Sequence, residues 1–231
     1  MNGERSINKA RKQFYRSFVN KGDLCFDVGA NRGNRTRPLL NIGARVVAIE
    51  PQQSCQKILI RKFGKKIELV PKGCGESNAV KDFYIADVDV LSSFSDKWMN
   101  SVKSSHRFGD NKWDKVVQVE ITTLDTLIEK YGIPQFIKID VEGYELNVLK
   151  GLTKPIDMIS FEYAIPEGID AAIACIEEIA KNNPNIECNY SVGEGMIFAL
   201  DKWESVDNMK NRILAESIDC FGDIYVRTKS K

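Results

Sequence analysis

The sequence predicts a doubly wound α/β fold, in which a mostly parallel, seven-stranded sheet is covered by helices on both faces. Two observations predict this fold. Short apolar runs alternate with segments whose apolar residues recur at helical spacing, a pattern typical of βαβ units. The chain has 231 residues, which is enough for one domain with a proper core and too few for two ordinary ones. We therefore expect a single domain over residues 1–231.

The elements of the first half alternate regularly. An N-terminal helical segment, 1–22, carries an amphipathic pattern over residues 5–20. Pro38 is compatible with the helix that follows the first strand only in its first turn, where the missing N–H has no intrahelical partner. Gly43 and Gly64 are expected to end the next two helices. The predicted strands cover 23–28, 45–50, 67–70 and 80–86, and the helices between the first three strands cover 33–42 and 54–63.

The second half continues the alternation after an interruption. Residues 87–114 are rich in Ser, Asp, Asn and Lys, and we expect an irregular excursion on the substrate side, because it is too long for an ordinary connection. A late antiparallel hairpin across Gly193–Gly195 and a short last strand are expected to close the chain. The predicted strands are 116–121, 135–140, 156–162, 186–191, 196–200 and 223–227, and the helices are 123–131, 144–149 and 170–181.

Composition and charge exclude several classes of function. The 33 basic and 32 acidic residues leave a formal charge of +1, so no nucleic-acid or membrane partner is expected. The N-terminal residues lack the apolar stretch of a signal peptide, and scattered cysteines without a CxxC pair indicate reduced thiols in a cytoplasmic protein. His106 is the only histidine. A zinc site with two histidines is therefore excluded, and a Ser-His-Asp triad would have to use His106.

The loop Asp27–Gly33 follows the first predicted strand, at the edge of the sheet where open α/β folds bind ligands. Gly29 and Gly33 permit a tight turn and close approach of a ligand to the backbone. Glu50 ends the second predicted strand, where its carboxylate can accept hydrogen bonds from both ribose hydroxyl groups. The pair indicates a nucleoside site. A generic turn in which Asp27 only caps a helix is the alternative.

The same loop indicates the charge of the ligand. Ala30 and Asn31 occupy the middle of the loop, so the dinucleotide fingerprint G-x-G-x-x-G is absent. Asp27 would repel a pyrophosphate, and it would attract a cationic amino group directly or through water. The predicted ligand is therefore a nucleoside with a cationic tail, which describes S-adenosylmethionine.

A second acidic cluster follows the predicted strand 135–140. Alternation along the strand places Lys138 and Asp140 on the same side. Glu142 and Glu145, three residues apart, are expected to share one helix face. Glu162 ends the next strand, so Asp140, Glu142 and Glu162 are expected to line one rim beside the nucleoside site. Such crowding requires a cation, a bound ligand or a nearby lysine.

Four segments, DVGANRGNRT, VVAIEP, KIDVEGYELNVLKGL and ISFEY, resemble the FkbM-type methyltransferase family, and together they span residues 23–163. The resemblance implies a class I, Rossmann-like methyltransferase fold, S-adenosylmethionine as cofactor, and transfer to a hydroxyl of a sugar or natural product. It places Ser92-Ser93 on a Ser-Ser step of the family. Cys74 lies in the stretch Lys72–Glu76, which departs from the Asn-x-Ala-type sequence more usual in the family, at the adenine side. The cofactor-binding residues that it implies are Asp27, Gly29, Ala30, Asn31, Gly33, Thr36, Glu50, Pro51, Cys74 and Asp140.

The expected reaction is O-methyl transfer by in-line displacement, in which positioning contributes most and a general base typically adds about 10²–10⁴-fold. Asp140 or Glu142 is the candidate base or hydroxyl-orienting group, Lys138 is expected to hold the carboxylates, and Glu162 supports them. His106 is a weaker candidate. No metal is assigned, and a Mg²⁺ ion on the acidic rim is the less favoured alternative. Four aromatic residues could stack on a sugar-like acceptor or pack in the core: Tyr84, Trp98, Phe108 and Trp113.

Two other functions remain open at this point. A nicotinamide-dependent oxidoreductase would share the fold and Glu50, but its loop should lack Asp27. A non-catalytic partner subunit would keep the fold and the cofactor site, and it would tolerate the loss of Asp140. The intact acidic cluster weighs against that second alternative.

Overall fold

The computed structural model of the protein describes residues 2–86, 92–95, 115–165, 168–215, 218 and 221–229. The described helices are α1 Asn2–Tyr15, α2 Thr36–Ile42, α3 Gln53–Phe63, α4 Leu124–Tyr131, α5 Glu145–Lys150, α6 Ile169–Asn182 and α7 Val206–Leu214. The described strands are β1 Leu24–Val28, β2 Arg45–Ile49, β3 Ile67–Val70, β4 Gly73–Cys74, β5 Ala79–Ile85, β6 Lys115–Thr122, β7 Phe136–Ile139, β8 Met158–Ala164, β9 Ile186–Val192 and β10 Phe221–Thr228.

The main sheet is seven-stranded, in the order β3-β2-β1-β7-β8-β10-β9. The first five strands of this order are parallel, and β10 is antiparallel to both β8 and β9. The predicted fold class is confirmed. The chain builds outward from β1 to β3 and then returns to β7 on the other side of β1. This reversal of strand order opens a crevice between the carboxyl ends of β1 and β7.

Both faces of the sheet are covered, as a doubly wound fold requires. One face packs against α1, α2 and α3, and the other packs against α4 to α7. Every residue of β1 and of β7 is buried. Alternation along β1 sends Phe26 to one core and Cys25 to the other, which explains why these strands are continuous apolar runs in the sequence.

Local signals set several helix ends as predicted. Pro38 is the third residue of α2, within the first turn, where its missing N–H breaks no helical hydrogen bond. Gly43 ends α2 with φ at 97°, a left-handed conformation that glycine adopts without strain. Thr123 caps α4, because its side chain accepts a hydrogen bond from the Thr126 N–H.

A second, three-stranded sheet, in the order β4-β6-β5, contains the two strands that flank the 87–114 segment. β5 and β6 are antiparallel, and the two-residue β4 pairs in parallel with β6. The sequence predicted β5 and β6 as strands, but hydrophobic periodicity does not indicate which sheet a strand joins. This small sheet stands beside the crevice and forms part of its wall.

The antiparallel C-terminal strands expected from the sequence are present, but the strand assigned to 196–200 is not. β9 pairs with β10 along its length, and residues 196–200 form no strand. The backbone N–H of Leu200 donates to the side chain of Asn189, at 3.2 Å, where a ladder partner would be a backbone carbonyl. The buried Asn189 amide thus replaces part of the ladder at this edge of β9. Helix α7, which follows, was not predicted.

Two further expectations concern the environment of the chain. The five cysteines that the structure describes are free and buried, as expected for reduced thiols; Cys220 lies outside the described residues. Among the described helices, none has the length and apolar character needed to cross a bilayer.

Candidate active site

A cleft of about 410 Å³ opens at the crevice between β1 and β7, within the size range of small-molecule sites. The loop after β1, the ends of β2, β7 and β8, and the second sheet form its walls. Nine of the predicted site residues line it: Gly29, Ala30, Asn31, Glu50, Pro51, Cys74, Asp140, Glu142 and Glu162. Four others do not: Asp27, Gly33, Thr36 and Lys138.

Glu50 is held firmly at one end of the cleft. Its side chain accepts hydrogen bonds from the backbone N–H groups of Asn31 and Gln52, both at 2.7 Å. Asn31 has a φ of 46°, a left-handed conformation that asparagine tolerates better than most residues, and this turns its N–H toward the carboxylate. A carboxylate offers about four acceptor sites, so Glu50 can also accept hydrogen bonds from the hydroxyl groups of a ribose.

The two loop glycines are required by contacts within the protein. Both adopt positive φ, 82° at Gly29 and 81° at Gly33. A Cβ atom at Gly29 would lie 1.8 Å from the backbone oxygen of Asp140, and one at Gly33 would lie 2.3 Å from the ring of Phe63. The close approach expected from the sequence is therefore made by the protein's own atoms, and it brings the loop against the end of β7.

Asp27 lies behind the loop, with 1% of its surface exposed. Its carboxylate accepts a short hydrogen bond from the hydroxyl of Thr36, the first residue of α2. Burial raises the pKa of Asp27, although the Thr36 hydrogen bond and the charge of Lys138 oppose this effect. Asp27 does not line the cleft. Asp27 and Thr36 instead tie β1 to the start of α2 and support the loop from below.

The acidic rim forms as predicted at the ends of β7 and β8. Asp140, Glu142 and Glu162 each place a carboxylate oxygen within 4.8 Å of the others, a geometry that could also hold a metal ion. Burial and then the negative charge of Asp140 raise the pKa of both Glu142 and Glu162 well above the ordinary value. Such groups exchange protons closer to neutral pH than an exposed glutamate does.

Glu142 and Glu145 do not share a helix face, contrary to the prediction. Glu142 lies in the turn before α5, with a φ of 54°. Glu145 begins the helix, and its carboxylate accepts hydrogen bonds from the N–H groups of Val141 and Gly143, both at 3.2 Å. These two hydrogen bonds to Glu145 therefore hold the turn that directs Glu142 to the cleft. The positive φ could not be read from helical spacing.

Lys138 is fully buried behind the rim. Its Nζ atom lies 3.3 Å from Asp140 Oδ2 and 2.8 Å from Asp223 Oδ1. Burial lowers the pKa of Lys138, but Asp140 and Asp223 raise it by more, so the ammonium stays charged. The sequence predicted the contact with Asp140. It did not predict Asp223, whose strand is far away along the chain and reaches β8 only in the folded sheet.

The Ser-Ser step anchors the far wall of the cleft. Ser93 pairs with Tyr84 of β5 through both backbone groups, and its hydroxyl donates to the carbonyl oxygen of Glu142 at 2.7 Å. Ser92 lines the cleft, and Tyr84 does not. This step therefore connects the second sheet to the turn that carries Glu142. His106, Trp98, Phe108 and Trp113 lie outside the described residues.

An apolar wall stands beside Glu50. It is formed by Cys74 of β4, Phe83 of β5 and Phe94, which all line the cleft. The rings of Phe83 and Phe94 are 4.6 Å apart. The stretch Lys72–Glu76 thus reaches the cleft through a short strand of the second sheet. An apolar, aromatic wall of this kind suits a heteroaromatic ring.

Other residues of the cleft wall were missed by the sequence analysis. Asn34 and Arg35 continue the predicted loop, so their position along the chain was a usable signal. Gln52 likewise follows the predicted residues Glu50 and Pro51 directly, whereas the others come from segments that the predicted site did not include. These missed residues are Arg11, Asn34, Arg35, Gln52, Phe83, Phe94, Glu194 and Phe221.

Comparison with known proteins identifies the family of this chain and solved structures of similar fold. A family model described as the methyltransferase FkbM domain matches residues 27–190. Precorrin-6y C5,15-methyltransferase from Geobacter metallireducens superposes with a TM-score of 0.50 at 9% identity, over 96% of this chain and 87% of that one. No curated protein matches the sequence. At this identity, the structural similarity shows the class I methyltransferase fold and carries no information on substrate.

Two other solved structures are similar at lower scores. A TehB-like SAM-dependent methyltransferase from Corynebacterium glutamicum has a TM-score of 0.48 at 9% identity, over 95% of this chain and 88% of that one. An O-methyltransferase from Bacillus cereus has a TM-score of 0.44 at 12% identity, over 96% and 80%.

Proposed function

The chain belongs to the FkbM methyltransferase family and is an S-adenosylmethionine-dependent methyltransferase, and from that premise we propose that it methylates a hydroxyl group of a small-molecule or glycan acceptor. The observation that carries this proposal is the acidic rim of Asp140, Glu142 and Glu162, which lines the same cleft as Glu50. Family membership removes the alternative of a nicotinamide-dependent oxidoreductase.

The cleft wall supports a definite placement of the cofactor. Glu50, held by two backbone amides, would bind the ribose hydroxyl groups. The apolar wall of Cys74, Phe83 and Phe94 would bind the adenine ring. The positively charged sulfonium would then lie toward the acidic rim, where opposite charges stabilise one another most in a site that excludes water.

The protein's own contribution to the reaction would be orientation and proton removal. When bound, the cofactor supplies an activated methyl group whose bond to sulfur breaks as the bond to the acceptor oxygen forms. Asp140 or Glu142 would hold the acceptor hydroxyl in line and accept its proton. The raised pKa of Glu142 suits a base that works near neutral pH. Lys138, paired with Asp140, would act as a positioning residue.

We propose that this reaction needs no metal ion, although the three carboxylates could hold one. The buried ammonium of Lys138 and the sulfonium of the cofactor supply positive charge to the same acids. Activity should therefore survive exhaustive dialysis against EDTA. Loss of activity that Mg²⁺ restores would overturn the metal-free mechanism and leave the cofactor site unaffected.

The central test is methyl transfer from S-adenosylmethionine that carries a carbon-13 methyl group to a panel of sugars, glycosides and hydroxylated natural products. Asp140→Asn and Glu142→Gln should each weaken cofactor binding, because each removes a negative charge that faces the sulfonium. At saturating cofactor, only the variant of the true base should also lose about 10²–10⁴-fold in turnover. Glu187→Gln is the matched control, since Glu187 pairs with Arg227 on the far edge of the sheet. Label found on nitrogen, sulfur or carbon would contradict hydroxyl methylation. Normal turnover by both variants would contradict the role of the rim.

A further inference from the structure

One end of the cleft carries two arginines that the proposed mechanism does not use. Arg11 comes from α1, and Arg35 immediately precedes α2. Each has only 9% of its surface exposed, and each lines the cleft. Arginine is rarely buried to this degree without anionic partners, so the groups that neutralise this pair indicate what the site is built to hold.

The two guanidinium groups converge on a single carboxylate oxygen. Arg11 Nη2 donates to Glu194 Oε2 at 2.7 Å, and Arg35 Nη1 lies 2.8 Å from the same atom. Despite this short distance, Arg35 Nη1 makes no aligned hydrogen bond within the described part of the chain, and neither does Arg11 Nε. Two forked donors thus share one oxygen, and buried donor capacity remains for an anion that offers more.

Glu194 differs from a permanent structural partner. Its side chain is 63% exposed, and it stands in a turn between Gly193 and Gly195. An exposed carboxylate on a turn flanked by glycines can leave the arginines at little cost, because water solvates it as it moves. Asp223, the other acid near Arg35, is already bound to Lys138 at 2.8 Å and lies 3.8 Å from Arg35 Nη2.

The sheet places this pair on the side of the loop opposite to Glu50. Glu50 follows β2, and Arg35 reaches across to Asp223, whose carboxylate meets Lys138 of β7. β7 lies two strands from β2, a separation of roughly 10 Å. If the ribose binds at Glu50, the amino-acid tail of the cofactor extends in this direction past Gly29 and Asn31, and the acidic rim faces its cationic groups.

We infer that Arg11 and Arg35 bind the carboxylate of the methionine tail of S-adenosylmethionine, and that Glu194 occupies this position when the cofactor is absent. The inference rests on the cofactor placement of the proposed function. The cleft would then match each charge of the tail: acids face the sulfonium and the amino group, and the arginine pair faces the carboxylate. An acidic group on the acceptor has the same chemistry, so the experiment must distinguish the two sources.

The test compares three ligands by calorimetry: S-adenosylmethionine, decarboxylated S-adenosylmethionine, which lacks only the carboxylate, and methylthioadenosine, which lacks the amino acid. Because charged hydrogen bonds are lost, Arg35→Gln and Arg11→Gln should each weaken S-adenosylmethionine binding by about 10- to 100-fold. For the other two ligands, the affinities of both variants should stay within about threefold of the wild-type values, because neither ligand has a carboxylate that could lose a partner. Arg37→Gln is the matched control, because Arg37 stacks on Phe63 at 5.4 Å and does not line the cleft.

Glu194→Ala provides a test of opposite sign. If Glu194 competes with the cofactor carboxylate, this variant should bind S-adenosylmethionine more tightly than the wild type does. Its affinity for decarboxylated S-adenosylmethionine should equal that of the wild type. A purely structural ion pair predicts weaker binding of both. Since Glu194 is mostly exposed, the variant should fold, so this test holds even if the arginine variants are unstable.

Three results would overturn the inference while the cofactor assignment stands. The first is equal wild-type affinity for the cofactor and its decarboxylated form. The second is equal loss of all three ligands in Arg35→Gln, which would make Arg35 a support of the fold. The third is unchanged binding of all three with a raised KM for the acceptor, which would assign the anion to the acceptor. Failure of the wild type to bind S-adenosylmethionine would instead refute the cofactor placement.

Discussion

Lys138 shows most directly how a single residue connects folding to the site. It is fully buried and contacts both Asp140 and Asp223. Lys138→Met should lower the free energy of unfolding by about 3–5 kcal/mol, because it leaves buried carboxylates without their counter-charge. Urea unfolding at neutral pH measures the loss. Lys181→Met, which breaks an exposed ion pair with Glu178, should cost less than about 1 kcal/mol.

A double variant separates pairing from packing at this position. Lys138→Met with Asp223→Leu removes both charges of the shorter contact, so it should be less destabilised than the sum of the two single variants predicts. If the two effects simply add, the energetic importance of the Lys138–Asp223 pair is refuted.

The titration of single carboxylates in the acidic rim should make the affinity for S-adenosylmethionine depend on pH. The folded protein raises the pKa of Glu142 and Glu162, by burial first and the charge of Asp140 second. A cation binds best when both groups are ionised. Affinity for S-adenosylmethionine should therefore rise with pH above the ordinary glutamate pKa of about 4.3, up to the raised pKa values, and binding should release protons.

The raised pKa values of Glu142 and Glu162 have the opposite effect on the free energy of unfolding. Because the folded-state pKa is raised, the unfolded chain loses these protons first, and the contribution of the two groups to stability falls as pH rises through the same interval. Glu162→Gln removes one like charge and should move the rise in affinity to lower pH. If the affinity of this variant rises over the same pH range as that of the wild type, the two glutamates do not interact.

At the scale of elements, the loop after β1 depends on Gly29. Alanine there would combine a φ of 82° with a Cβ atom 1.8 Å from the oxygen of Asp140. Gly29→Ala should cost about 3 kcal/mol of unfolding free energy or more, from backbone strain and overpacking together, and it should weaken cofactor binding because Asp140 moves.

Gly64→Ala is the matched control for this loop. Its φ is also positive, at 52° with ψ at −128°, but nothing lies within 4 Å of the added Cβ. Backbone strain alone should therefore cost about 1–3 kcal/mol, less than strain and overpacking together cost at Gly29. Chemical denaturation compares the two variants. Equal losses would mean that the contact between the loop and the end of β7 does not limit stability.

Elements were predictable where one short segment carried its own signal. The apolar runs of β1, β2 and β7 and the stop at Gly43 are such segments, and the structure confirms them. The hairpin over 196–200 failed because the partner of β9 is the distant β10. Membership of the second sheet was not predictable for the same reason, since alternation along a strand reports which side chains are buried and not which strand is its neighbour.

For the whole molecule, cofactor binding should appear as thermal stabilisation. A ligand at 100 times its Kd stabilises the folded state by about 2.7 kcal/mol, which for a chain of 231 residues corresponds to a rise in Tm of about 5–10 °C. S-adenosylmethionine should produce this rise in a melting experiment, and NAD should produce none. A rise in Tm with NAD alone would contradict the assignment of the cleft as an S-adenosylmethionine site.

The sequence by itself determined the fold class and the location, at the ends of strands, of the loop after β1, of Glu50 and of the acids near the ends of β7 and β8. In a parallel sheet, the carboxyl ends of the strands meet at one edge, so residues that end strands are known to be neighbours before the structure is seen. The tertiary structure alone decided that Asp27 and Lys138 stand behind the cleft, that Asp223 neutralises Lys138, and that Arg11 and Glu194 meet Arg35. These contacts join segments far apart in the chain, and their energies depend on burial, which no local pattern encodes.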